Sequence, residues 1–138
     1  MPSMAELVCV PPSYVNTLWQ RVNAHILSAM ERGGMGNYSD VERGVRSGAM
    51  QLWLAFNDGE ILAAAVTELT KRTNGELECT IVACGGNERD TWLHHIAALE
   101  DFARAEGCSR VRICGRPGWR RILNGYRTRK VIIEKELT

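Results

Sequence analysis

Long apolar runs are missing from this sequence. No stretch approaches the roughly 18 to 20 residues that a membrane-spanning helix needs, so no membrane segment is expected. The start, MPSMAELVCVPPSYV, has no basic region followed by a long apolar stretch, and no signal peptide is expected from it. Neither sign of charge is in excess: the formal net charge is +1, which gives no whole-chain reason to expect nucleic acid or an anionic membrane as partner. The five cysteines (Cys9, Cys79, Cys84, Cys108 and Cys114) form no C-x-x-C pair, and there is no Walker loop and no G-x-S-x-G. Internal repeats, low-complexity tracts and linkers are lacking too.

What is present suits one domain. The chain has 138 residues, 45% of them apolar and 24% charged, enough to bury a core without disulfide or metal staples. Most cysteines sit in apolar runs such as ELVCV, ECTIVAC and VRIC, which predicts buried free thiols and a reducing, cytoplasmic setting. Trp19, Trp53 and Trp92 fall on apolar faces and read as core, while Trp119 reads as partly exposed. His94 and His95 are adjacent on a helix and point about 100° apart, so they do not chelate one metal as an i, i+4 pair would, and no metal site is expected.

Periodicity orders the elements. AELVCV (5–10) predicts a strand that Pro11-Pro12 ends, with Pro12 suited to a first helical position. Val15, Leu18, Trp19, Val22, Ile26, Ala29 and Met30 recur at steps of three and four, which predicts a helix stopped by Gly33-Gly34. A shorter helix is predicted from Ser39, where Ser39 and Glu42 form a capping box, to near Gly48. Strands are predicted over 50–56, 61–68 and 77–83. Asp58-Gly59 forms a type I′ turn between the first two, and Thr73-Asn74-Gly75 forms a second turn of that kind. After Gly85-Gly86 the period returns to helical from Asp90 to Glu106; a strand (109–114), a short helix (119–123) and a last strand (129–137) follow. An antiparallel meander that feeds a βαβ crossover predicts an α/β (α+β) fold, with a mixed, mostly antiparallel sheet and helices on both faces.

Three segments resemble the GNAT superfamily of N-acetyltransferases: GEILAAAVTEL after the Asp-Gly turn, the strand–glycine–helix run from Leu77 to Gly107, and WRRILNGYRTRKVIIEKEL at the end, with Gly125-Tyr126 in the family's Gly-aromatic place. The overall look also resembles small phage or prophage members of that family. The resemblance implies an N-acyltransferase that uses acetyl-CoA and acts on a small-molecule or protein amine. It places Ile81, Val82 and Ala83 against pantetheine, and Gly85, Gly86, Asn87, Arg89, Asp90 and Thr91 around the pyrophosphate at a helix start.

The chain departs from the family pattern at two places. The glycines come early, with Glu88 and Asp90 flanking Arg89, and Arg121 stands where the family commonly has a tyrosine acid. Glu78 and Glu68 are the candidate bases and Tyr126 the remaining catalytic candidate, in a position whose usual role is packing. Two other readings stay open. Gly85-Gly86 also serve as a plain turn with Asp90 as N-cap, which fits an inactive protein of this fold that serves as a binding or structural module, with a second copy or another protein as partner. From Arg110 to Lys130 there are eight Lys/Arg and no Asp or Glu, which is either a phosphate site or a solvated strand edge; nucleic acid is not the expected partner.

Overall fold

A computed structural model describes residues 6–32, 36–87, 89–115 and 118–137. Its sheet has five strands in the order β1 (Glu6–Val10), β2 (Gln51–Asn57), β3 (Glu60–Lys71), β4 (Leu77–Gly86) and β5 (Cys108–Ile113). The first four pair antiparallel and β5 runs parallel to β4. Helices α1 (Pro12–Arg32) and α2 (Tyr38–Ser47) join β1 to β2. The connection from β4 to β5 carries α3 (Arg89–Trp92), a 3-10 turn (Leu93–His95) and α4 (Ile96–Ala105), and α5 (Trp119–Ile122) follows β5. The predicted mixed sheet with helices on both faces is what the chain forms.

The alternation of side chains on each strand builds the two layers. Leu52, Leu54, Ala64 and Val66 turn toward α1 and α2, where they meet Val15, Trp19, Val22, Ile26, Val41 and Val45. Trp53 and Ala65 turn the other way, toward Ile96 and Leu99 of α4. The Trp53 indole donates to Thr67 Oγ1 at 3.0 Å, and that hydroxyl bonds Gln51 Oε1 at 2.8 Å, so the buried polar atoms of β2 and β3 satisfy one another.

Local chemistry sets the ends of these elements. Asp58 (φ 50°) and Gly59 (φ 79°) make the turn with two positive φ angles that a tight hairpin requires. The Thr73–Gly75 turn differs from the expected kind: only Gly75 has positive φ, and Arg72 and Glu76 close a three-residue loop. Helix α2 starts one residue early because Asn37 caps it, its side chain accepting from Ser39 N at 2.7 Å, while Glu42 pairs with Arg46 at 2.9 Å rather than completing a capping box. Gly33, Gly34, Glu88, Arg116 and Pro117 lie outside the described residues.

Three further expectations are corrected. Strand β4 continues to Gly86, so both glycines belong to the sheet and not to a loop. The long helix breaks at Trp92 (φ −128°), whose indole turns back to donate to Asn87 O at 2.7 Å. Residues 129–137 form no strand among the described residues and stand exposed. The cysteines are also less buried than their apolar neighbours suggest: Cys79 is buried, Cys84, Cys108 and Cys114 are half-buried and Cys9 is exposed. Among the described residues, no helix is long and apolar enough to cross a membrane.

Ile26 on α1 is fully buried and its neighbour Leu27 is 41% exposed. Ile26→Ala is expected to cost about 3 kcal/mol in urea unfolding, and Leu27→Ala about 0.5 kcal/mol. Equal losses at the two positions would mean that α1 does not lie on the sheet by this face.

Candidate functional site

The site begins where β4 changes partners. As far as Ile81, β4 is bonded on both edges: Ile81 pairs with Thr67 of β3 and with Ile113 of β5, and the next residue after β5, Cys114, donates its N–H to Ile81 O at 3.1 Å. The register with β3 then slips. Val66 pairs with Ala83 while Thr67 pairs with Ile81, so Val82 is an extra residue, a bulge. Both Val82 and Ala83 consequently face the α1 layer. From Ala83 to Gly86 the strand is paired with β3 alone, and its other backbone edge faces a cleft of about 400 Å³.

Four parts of the chain wall this cleft: Ala29 and Arg32 from the last turn of α1, Cys84–Gly86 of β4, Arg89 and Trp92 of α3, and Cys114, Gly115 and Trp119 beyond β5. Two arginines from distant parts of the sequence therefore line it, Arg32 also donating through Nε to Ser28 O at 3.2 Å, and none of the described lining residues is acidic. Arg89 turns to the cleft, whereas its neighbour Asp90 does not line it. Burial pushes the Cys84 thiol up to about 12, and Cys114 is raised by burial as well, so both thiols are protonated at neutral pH.

The glycines have packing reasons of their own. A Cβ on Gly86 would lie 2.3 Å from Leu62 O and 2.5 Å from Ala63 Cα, inside the β3 backbone. A Cβ on Gly85 would meet Ala29 Cβ at 3.1 Å and His25 O at 3.3 Å, so glycine here lets α1 settle against the sheet and carries Arg32 to the rim. Gly115 is crowded in turn by the Trp119 indole, at 2.7 Å.

Of the residues singled out from the sequence for a cofactor, Gly85, Gly86 and Arg89 line the cleft and Ile81, Val82 and Ala83 lead into it. Asn87, Asp90 and Thr91 do not line it. The backbone of Asn87 is engaged on both sides, donating to Leu62 O at 2.7 Å and accepting from Trp92. Arg32, Cys114 and Gly115 line the cleft without any sequence signal for a site: Cys114 reads as a small apolar residue, and Arg32 is only a basic residue in a helix's last turn.

The catalytic candidates lie elsewhere. Glu78 is buried, and its carboxylate takes Arg110 at 2.6 Å, Arg112 at 3.1 Å and Arg72 at 3.7 Å. Burial alone would raise its pKa, but the Arg110 hydrogen bond and the charges of Arg112, Arg110 and Arg72 outweigh it and hold the group below the ordinary carboxylate value. The basic stretch is thus partly spent on this clasp, and Arg112 also donates to Thr80 at 3.1 Å. The Tyr126 hydroxyl donates to Glu100 Oε2 at 2.7 Å and its ring packs with the α4 layer. Burial, that hydrogen bond and the Glu100 charge push its pKa up. His94 and His95 touch at 4.0 Å between ring centroids, and no group of three metal-ligating side chains occurs among the described residues.

Neither a protein-family model nor a curated protein matches the chain. Solved structures do match it. An aminoglycoside acetyltransferase from an uncultured soil metagenomic sample superimposes with a TM-score of 0.70 at 13% identity, over 97% of each chain. A GNAT family acetyltransferase from Staphylococcus aureus gives 0.66 at 13% identity, over 97% of this chain and 99% of that one. Glucosamine-6-phosphate N-acetyltransferase from Arabidopsis thaliana gives 0.67 at 13% identity, over 99% and 100%. The chain therefore has the GNAT acetyltransferase fold.

Glu78→Gln leaves three guanidinium groups around a neutral amide, with an expected loss of about 2 kcal/mol at neutral pH. A carboxylate held below its ordinary value stabilises the fold fully above its unfolded pKa, and that contribution fades as pH falls through the folded value. The unfolding free energies of wild type and Gln variant should converge as pH falls below the ordinary carboxylate range and through the lowered folded value. A gap that stays constant into acid would assign the cost to shape.

Proposed function

We propose that this chain is a divergent GNAT-type N-acyltransferase that holds acetyl-CoA in the cleft where β4 and β5 part. The observation that supports this most strongly is the bulge at Val82, followed by a β4 edge with no strand partner among the described residues, beside a cleft that carries two arginines and no described acidic residue. An extended amide-bearing arm fits such an edge as a further strand would, and a diphosphate fits the guanidinium groups of Arg32 and Arg89. The thioester, when bound, supplies an activated acyl carbon for attack by an amine.

In this reading the residues of the chain divide the work as follows. Val82 to Gly86 offer backbone groups to the arm, and Arg32 and Arg89 neutralise the phosphates. Trp92 and Trp119 wall the cleft against water. Cys84 and Cys114 are the titratable groups, besides the two arginines, among the described lining residues, and both keep their protons at neutral pH. Glu78, bound to three arginines, clasps β5 to β4. With no carboxylate or imidazole in the described lining, the rate is expected to follow the acceptor's own deprotonation and climb with pH through the neutral range.

The engagement of Tyr126 with Glu100, and of Glu78 with arginines, favours a second reading: a protein of this fold that binds CoA without transferring an acyl group. Calorimetry with acetyl-CoA, paired with thiol-release assays over a panel of amines, separates the two. Micromolar binding is expected, with Arg32→Ala and Arg89→Ala each raising Kd about tenfold. Binding without turnover on any amine would favour the second reading, and no binding at millimolar acetyl-CoA would sink both.

A further inference from the structure

Strand pairing lines up three polar side chains from three strands in one row. Glu68 of β3 is paired with Thr80 of β4, and Thr80 with Arg112 of β5. Alternation puts all three on the face of Val66 and Val82, which pack under α1. The next paired row, Thr67, Ile81 and Ile113, turns to the α4 layer. The Glu68–Thr80–Arg112 row is therefore the last on the α1 face before β4 and β5 part.

Both ends of the row have binding capacity unused. Glu68 is half-buried, yet its carboxylate meets no donor or cation among the described residues. Arg112 spends Nε and Nη2 on Thr80 and Glu78, and its Nη1 has no partner among the described residues. The Arg112 side chain is 34% exposed, so a ligand can reach it. Around it the guanidinium groups of Arg72, Arg110 and Arg112 meet two carboxylates, Glu76 and Glu78, which leaves one positive charge over.

We propose that this row binds the acceptor of the acyl transfer, and that the acceptor is a small amine that carries a carboxylate. Its amino end lies at Glu68 and its carboxylate at Arg112. The assignment rests on the acyltransferase reading of the cleft. In that reading the phosphates lie at Arg32 and Arg89, toward the outer end of β4, so the acyl end of the arm falls at the fork. The row is one residue below the fork, and Cys114, two residues beyond Arg112, already belongs to the cleft wall.

The spacing suits a short zwitterion. Glu68 and Arg112 are two strand spacings apart, about 10 Å at Cα. Arg112 leans inward over β4, donating to Thr80 Oγ1 at 3.1 Å, which brings its guanidinium toward Glu68. Opposite charges held apart in this way bind a ligand with opposite charges of its own. A single surplus charge and a single free Nη1 match a carboxylate; a phosphate would bring up to about two negative charges.

Calorimetry with glycine, β-alanine and 4-aminobutyrate, each beside its amide, tests this on the protein alone and on the protein saturated with CoA. At least one acid is expected to bind about tenfold or more tightly than its amide. Arg112→Gln removes that preference, whereas Glu68→Gln weakens acid and amide alike, by about tenfold. Because Arg112 also holds Glu78, Glu68→Gln serves if Arg112→Gln fails to fold. Thiol release from acetyl-CoA gives the second readout, with the acids ranking above their amides and above O-phosphoethanolamine in kcat/KM. Acids that bind no better than their amides, or O-phosphoethanolamine that outranks them, overturn the proposal and leave the acetyl-CoA reading standing. Acids bound in the expected pattern without thiol release overturn their role as acceptor. Acetyl-CoA that fails to bind at millimolar concentration overturns both.

Discussion

The backbone of β4 has two lives separated by one residue. Up to Ile81 it is bonded on both edges; after the bulge at Val82 it keeps β3 and loses β5. The two strands are held together below that point by a charge-assisted clasp, in which the buried Glu78 carboxylate takes the guanidinium groups of Arg110 and Arg112. Above it Gly115 leads the chain away beneath the Trp119 indole. The clasp sets where the strands must meet and the bulge sets where they part. The cleft, its lining and the direction of the chain beyond β5 all follow from those two features.

The same constraint explains why residues that look functional in the sequence have structural partners. Gly85 and Gly86 are small because α1 and β3 crowd them, whatever the cleft holds. Asn87 is consumed in capping the strand end and receiving the Trp92 indole. Tyr126 is a peg that fixes the chain to α4 before the tail departs. The groups that do reach the cleft, Arg32 and Arg89 above all, come from a helix end and a strand-to-helix junction that only the tertiary fold brings together.

Most of the scaffold was legible in the sequence. The 3.6 period of α1 was readable because its buried face is continuous from Val15 to Ile26. The Asp58-Gly59 turn was readable because few residue pairs accept two positive φ angles. Trp92, Ile96 and Leu99 keep the spacing that predicts one helix after β4, yet the Trp92 indole bonds backward and breaks it. The glycine pair suits a turn as well as a strand, because glycine carries no record of whether it is there for φ or for space. The tail's pattern predicts a strand, but a pattern states only that a segment suits pairing, and residues 129–137 form no strand among the described residues.

By itself, then, the sequence determined the order of the elements, the faces they bury and the mixed sheet they form, since periodicity and turn chemistry are local and each is set within a few residues. The site was decided by the tertiary structure. Whether Arg32 and Arg89 line one cleft, whether Glu78 is a free base or a clasp, and whether β4 offers its edge at Ala83 depend on which backbone lies opposite which. That pairing register is a long-range property that no local run of residues encodes.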